Sequence, residues 1–192
     1  MPPKYDVTKL KILEEECEDD VNEFKIKFNN ITYIFNTYHD KELIFYKLFQ
    51  HKSKEECIFI IVGKDQKTCE IHNISYDNKC VPNAEMKDKK GGTLLKIALK
   101  VINKIKDNYN LKYVQLTDNS VKYCKNKHKI ILPSMMILMT GITWYAKYGF
   151  IPKDKKVYEQ YKNNVSIMNK VKLKDVPEIK HYIINSYKKS KS

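Results

Sequence analysis

Apolar and polar residues alternate along Phe24-Lys25-Ile26-Lys27-Phe28, and they alternate again from Ile31 to Tyr38 beyond Asn29-Asn30. A period of two sends successive side chains to opposite faces of an extended strand, and Asn tolerates the positive φ of a tight turn. Residues 24–38 therefore read as a β-hairpin. A second hairpin follows. Cys57 to Val62 is an apolar, β-rich run, Gly63-Lys64-Asp65-Gln66 supplies turn chemistry, and Thr68 to Tyr76 returns. Leu43 to Phe49 suits either strand or helix. A sheet built this way needs a layer to cover it. The clearest layer starts after Gly91-Gly92, where Leu94, Leu95, Ala98, Val101, Ile102 and Ile105 form one stripe at three-to-four spacing. Lys96, Lys100, Lys104 and Asp107 lie opposite that stripe.

The remaining segments complete the layout. Leu10 to Glu23 is acidic and suits a helical turn or two, and residues 77–90 read as a polar loop. Tyr113 to Leu116 is a short strand, followed by a basic segment over 122–129. A helix is predicted from about Ser134 to Tyr148, stopped by Gly149, with Pro152 preventing its resumption. Lys156 to Tyr161 and Val165 to Leu173 read as two strands. Asp175 and Glu178 have capping-box spacing, with Pro177 in the first turn, and open a last helix through Tyr187. The order predicts a mixed α/β (α+β) fold, a mostly antiparallel sheet flanked by helices. It fits one domain over 1–192, with frayed ends at 1–8 and 188–192.

Charge narrows the partners. Residues 1–85 hold 12 Lys against 16 acids, whereas residues 86–192 hold 24 Lys against 7. The basic half predicts attraction to an anion: CoA phosphates, nucleic acid bound non-specifically, or an acidic protein. All 36 cationic side chains are Lys, which is also the composition of an AT-rich genome such as that of a large DNA virus or a protist. Without Arg the chain lacks the planar fork that reads guanine edges, so sequence-specific DNA recognition is not expected. Five scattered cysteines and no secretory leader predict reduced thiols in a cytoplasmic or nuclear compartment. The 17 uncharged residues from Ile130 to Ala146 include Pro133 and Gly141, and a buried helix suits them better than a membrane span.

Chemistry can be placed at three points. A strand, a loop, Gly91-Gly92 and an amphipathic helix make an anion-binding arrangement, because the first helical amides lack internal partners and glycine lets a phosphate approach closely. Lys87, Lys89 and Lys90 add charge there. Glu70 and His72 share one face of a predicted strand and are candidate proton acceptors. Cys69, His72, Cys80, Cys124 and His128 include zinc-type ligands, but no tight Cys-x-x-Cys pair occurs, and no metal is expected.

These segments, from about residue 70 to 152, resemble the GCN5-related N-acetyltransferases. Lys87-Asp88-Lys89-Lys90-Gly91-Gly92-Thr93 is similar to the loop and helix start that cradle the CoA pyrophosphate in that family. Lys87 stands where Gln or Arg is usual, and Lys90 replaces the first Gly. Asn119, after Val114-Gln115-Leu116-Thr117-Asp118, matches the Asn that contacts the CoA arm. Tyr145 before Gly149-Phe150 matches the Tyr that protonates the departing thiolate. The 26-residue interval from Asn119 to Tyr145 is much longer than the family's. The resemblance implies acetyl-CoA as cosubstrate and direct attack by an amine acceptor, protein or small molecule. Its rivals are an inactive relative of the same fold that binds nucleic acid or an acidic protein through 122–129, and a purely structural protein.

Overall fold

The computed structural model describes residues 21–50, 55–64, 67–75, 80, 90–123 and 129–170. The acidic stretch before residue 21, most of the 77–90 loop and the last predicted helix lie outside them. The described residues fall into two compact units, dividing between Thr117 and Asp118. Each is taken by itself.

The first unit is a six-stranded sheet in sequence order, β1 (Asn22–Phe28), β2 (Ile31–His39), β3 (Leu43–Phe49), β4 (Glu56–Gly63), β5 (Thr68–Ile74) and β6 (Tyr113–Leu116). The first five pair antiparallel, and β6 pairs parallel to β5. Both predicted hairpins form. Asn29 and Asn30 turn the first with φ of 46° and 61°, the pair of positive values that a two-residue type I′ turn requires. Leu43 to Phe49 resolves as a strand. Its apolar run has no helical stripe because both of its faces are buried.

A parallel pair cannot be joined by a hairpin, and α1 (Lys90–Ile105) makes the crossover. It lies against β1, β4 and β5. Leu94, Leu95, Ala98 and Val101 are fully buried against the face that carries Phe35, Ile44, Ile58, Ile60 and Val62. Burying such side chains contributes about 1.5–3 kcal/mol each, and this layer is the main core. Two lysines extend α1 beyond that layer. Lys100 Nζ donates to the Lys27 carbonyl at 2.7 Å and Lys104 Nζ to the Lys25 carbonyl at 3.2 Å, both on edge strand β1. The opposite face of the sheet carries a second cluster of Leu43, Phe45, Phe59 and Ile61, with Tyr38 against it.

Cys57, at the start of β4, is bonded to Cys80 as a disulfide. This corrects the expectation of reduced thiols for that pair. Cys69 is buried and unbonded, and burial pushes its thiol up to about 12.

The second unit contains a small hairpin, β7 (Val121–Tyr123) with β8 (Lys129–Ile131), where the sequence suggested only a basic segment. Helix α2 (Leu132–Thr140) follows directly and packs on β8 and on α3 (Lys155–Lys170). The predicted helix from Ser134 to Tyr148 is thus two pieces. Gly141 ends the first with φ 74°, its N–H donating to the Ile137 carbonyl at 2.8 Å. The Thr140 hydroxyl takes up the Met136 carbonyl at 2.7 Å, and a short 3₁₀ turn restarts over Tyr145–Tyr148. The two strands predicted at 156–161 and 165–173 are also corrected, since 155–170 is one helix. Asp154 caps it, accepting from the Val157 amide at 2.9 Å, and Val157, Tyr158, Tyr161 and Val165 have helical rather than alternating spacing. No helix among the described residues is long and apolar enough to cross a membrane.

Candidate functional site

The sheet is irregular where β5 meets β6. The two strands hold register from Thr68 opposite Tyr113 to Ile71 opposite Leu116. There β6 ends, while β5 runs on to Ile74. The β4–β5 ladder slips at the same point: Ile60 faces Ile71 but Phe59 faces Asn73, so His72 is the extra residue of a bulge. From His72 to Ile74 the backbone of β5 therefore gains no ladder partner from β6. A chain leaving β5 must return along the sheet to enter β6 in parallel, so α1 begins at the end of β5 where β6 has stopped.

At this opening the structure brings Glu70 and His72 together. His72 Nδ1 lies 3.3 Å from Glu70 Oε1, and the side chains retain 29% and 21% exposure, enough to meet a solute. A neutral His72 that donates Nδ1–H to Glu70 presents Nε2 as an acceptor. The bond to Glu70 raises the imidazole above its ordinary value, burial pulls it down, and the charges of Glu70 and Glu56 raise it further against Lys47. Phe59 meets His72 edge to face at 5.2 Å, and the Lys47 ammonium sits 4.5 Å from the centre of the same ring. Lys47 is almost wholly buried and pairs with Glu56 at 3.0 Å. Lys47, Glu56 and Phe59 are not among the candidate site residues read from the sequence. The available signal was Lys47 itself, a charge inside the apolar run Leu43 to Phe49.

Helix α1 starts at Lys90, so Gly91 and Gly92 occupy its first turn rather than the loop before it. Their amides are among the four that have no partner inside a helix, no acidic residue stands in that turn, and neither glycine carries a Cβ. Both are half-buried and Thr93 is buried. A helix start without an acidic side chain and with two glycines is compatible with the approach of a phosphate. Lys87 lies outside the described residues, as does the side chain of Lys90.

The second unit holds the other two predicted site residues. Asn119 is exposed, beside Asp118, whose carboxylate accepts from the Ser120 amide at 3.1 Å. Tyr145 is half-buried on the 3₁₀ turn, between Trp144 at 4.8 Å and Phe150 at 6.0 Å, both edge to face. Burial, and then the nearby Asp118 carboxylate, raise its phenol above the ordinary value. Gly149 closes the turn at φ 88°, its amide donating to the carbonyl of Ala146 at 3.0 Å. A Cβ there would meet nothing within 4 Å, so the demand for glycine is conformational only. Gly149→Ala is expected to cost about 1 kcal/mol, a fall of roughly 2–4 °C in the melting temperature. A thermal melt that moves by less than the error of the measurement would contradict this.

The structure thus joins Glu70 to His72 and sets Gly91, Gly92 and Thr93 in one helical turn, all in the first unit. Asn119 and Tyr145 belong to the second. Comparison with protein-family models, with curated proteins and with solved structures returned no match for this chain.

Proposed function

We propose that the chain is an acetyl-CoA-dependent N-acetyltransferase that passes an acetyl group directly to an amine. The observation that carries this reading is the parallel pair β5–β6 parting at Ile71, next to a bulge at His72 and at the end of the sheet where a glycine-started helix begins. An opened sheet edge supplies unpaired backbone amides, and a helix N-terminus supplies an attraction for phosphate.

In this reading Gly91, Gly92 and Thr93 hold the diphosphate, with Lys87 and Lys90 supplying charge; the family resemblance alone assigns Asn119 to the CoA arm. Bound acetyl-CoA supplies the thioester carbonyl. The acceptor amine gives a proton to His72 Nε2, with Glu70 holding the ring, and its lone pair forms the new C–N bond. Amides of the β5 edge stabilise the tetrahedral oxyanion. As the C–S bond breaks, the CoA thiolate takes up a proton, and the family resemblance gives the role of donor to Tyr145. The chain's charge favours an anionic cosubstrate and leaves the acceptor open between protein and small-molecule amines.

Titration calorimetry with acetyl-CoA tests the first requirement. Binding with a dissociation constant in the micromolar range is expected, weakened by Gly92→Asp, which sets a carboxylate against the phosphates. Absence of heat at millimolar acetyl-CoA removes the transferase reading and leaves a fold that binds other partners.

A further inference from the structure

A buried ammonium is costly, and Lys47 is buried at the centre of a sheet with a side-chain exposure of 4%. Its carboxylate partner Glu56 keeps 27% exposure and stands on the neighbouring strand. The ammonium lies over the Phe59 ring at 4.5 Å and also reaches the Tyr38 ring at 5.8 Å. Phe59 in turn meets His72 at 5.2 Å. Three strands thereby build one line: Lys47 on β3, Phe59 on β4 and His72 on β5, with Glu56 at one end and Glu70 at the other.

We propose that Lys47 and Glu56 are a positioning pair for His72, holding the ring in place through Phe59 and setting the pH range over which Nε2 can take a proton from an amine. The catalytic part of this inference rests on the acetyltransferase reading; the coupling between the groups does not. Phe59 is clamped by the ammonium on its face and so keeps a fixed wall against the imidazole. Among the described residues, the charges that face His72 are Glu70 from β5, Glu56 from β4 and Lys47 from β3, while β6 sets uncharged Gln115 opposite Glu70. Loss of one member of the pair exposes His72 to the other. Lys47→Met leaves the Glu56 carboxylate, which favours imidazolium, so the titration of His72 moves to higher pH. Glu56→Gln leaves the ammonium, which opposes imidazolium, so the titration moves to lower pH.

The test is an NMR pH titration of the His72 imidazole, its signal assigned by its loss in His72→Asn. Lys47→Met is expected to raise the midpoint by roughly half a pH unit, and Glu56→Gln to lower it by a similar amount. The double variant should return it close to that of the unaltered protein. The acid limb of the kcat/KM profile should move with the midpoint in each variant. Should Lys47→Met fail to fold, Glu56→Gln, which keeps an amide oxygen for the ammonium, carries the test alone. A midpoint that stays put in folded Glu56→Gln, or moves upward, overturns the proposal. A midpoint that moves as expected in a protein without acetyl transfer removes the enzymatic reading and keeps the coupling. A fixed midpoint in an active enzyme does the reverse.

Discussion

On the acetyltransferase reading, Tyr145→Phe is expected to lower turnover about a hundredfold and to leave the dissociation constant of acetyl-CoA unchanged. The substitution removes one hydroxyl and keeps the ring that contacts Trp144 and Phe150, so the 3₁₀ turn retains its packing. A donor of the departing thiolate's proton acts only as the C–S bond breaks, which confines the loss to kcat. Burial and the Asp118 carboxylate both disfavour its anion, which keeps the phenol protonated at neutral pH and makes it a weaker acid than an exposed phenol. On the acetyltransferase reading the rate should accordingly show no decline attributable to Tyr145 between about pH 7 and pH 9. Steady-state kinetics of the two forms across that range decide the matter: unchanged kcat in Tyr145→Phe takes the donor role from this residue.

Breaking the bridge between Cys57 and Cys80 is expected to give the largest change in stability. The two residues are 23 apart in sequence. Closing a loop of that size removes enough freedom from the unfolded chain to stabilise the fold by about 3 kcal/mol. Both cysteines are buried, at 0% and 4% exposure. The Cys57 carbonyl also accepts the Ser75 amide at 2.9 Å, so the chain leaving β5 is secured to the start of β4 twice. Cys57→Ser with Cys80→Ser, or prior treatment with a dithiol reductant, should lower the melting temperature by roughly 6–12 °C. Differential scanning calorimetry of oxidised and reduced protein gives the answer directly. Coincident transitions would mean that the bridge contributes nothing to the folded state.

Much of the sheet was legible because its signals are local. The alternation over 24–38 and the pair Asn29-Asn30 determine a hairpin without reference to the rest of the chain, and the stripe from Leu94 to Ile105 determines a helix in the same way. The failures have local causes too. Val157, Tyr158 and Tyr161 are β-branched or aromatic, and that composition outweighed their helical spacing and the Asp154 cap in the sequence reading. Gly141 was read as interior to a helix that it ends. Of the candidate site, the pairing of Glu70 with His72 was half visible, since a shared strand face is a matter of parity. The bulge that makes His72 the extra residue depends on register against β4, and the disulfide joins residues far apart in sequence. Neither has a signature in a single strand.

The lysines of α1 have a bearing on how separate copies of the chain behave. Among the described residues β1 is the outer strand of the sheet, and such a border offers a row of backbone oxygens and amides to any passing extended segment. Lys100 and Lys104 occupy the oxygens of Lys27 and Lys25 on that border. An incoming strand would have to displace two ammonium groups and accept their charge beside it, which guards this sheet against growing into fibrils.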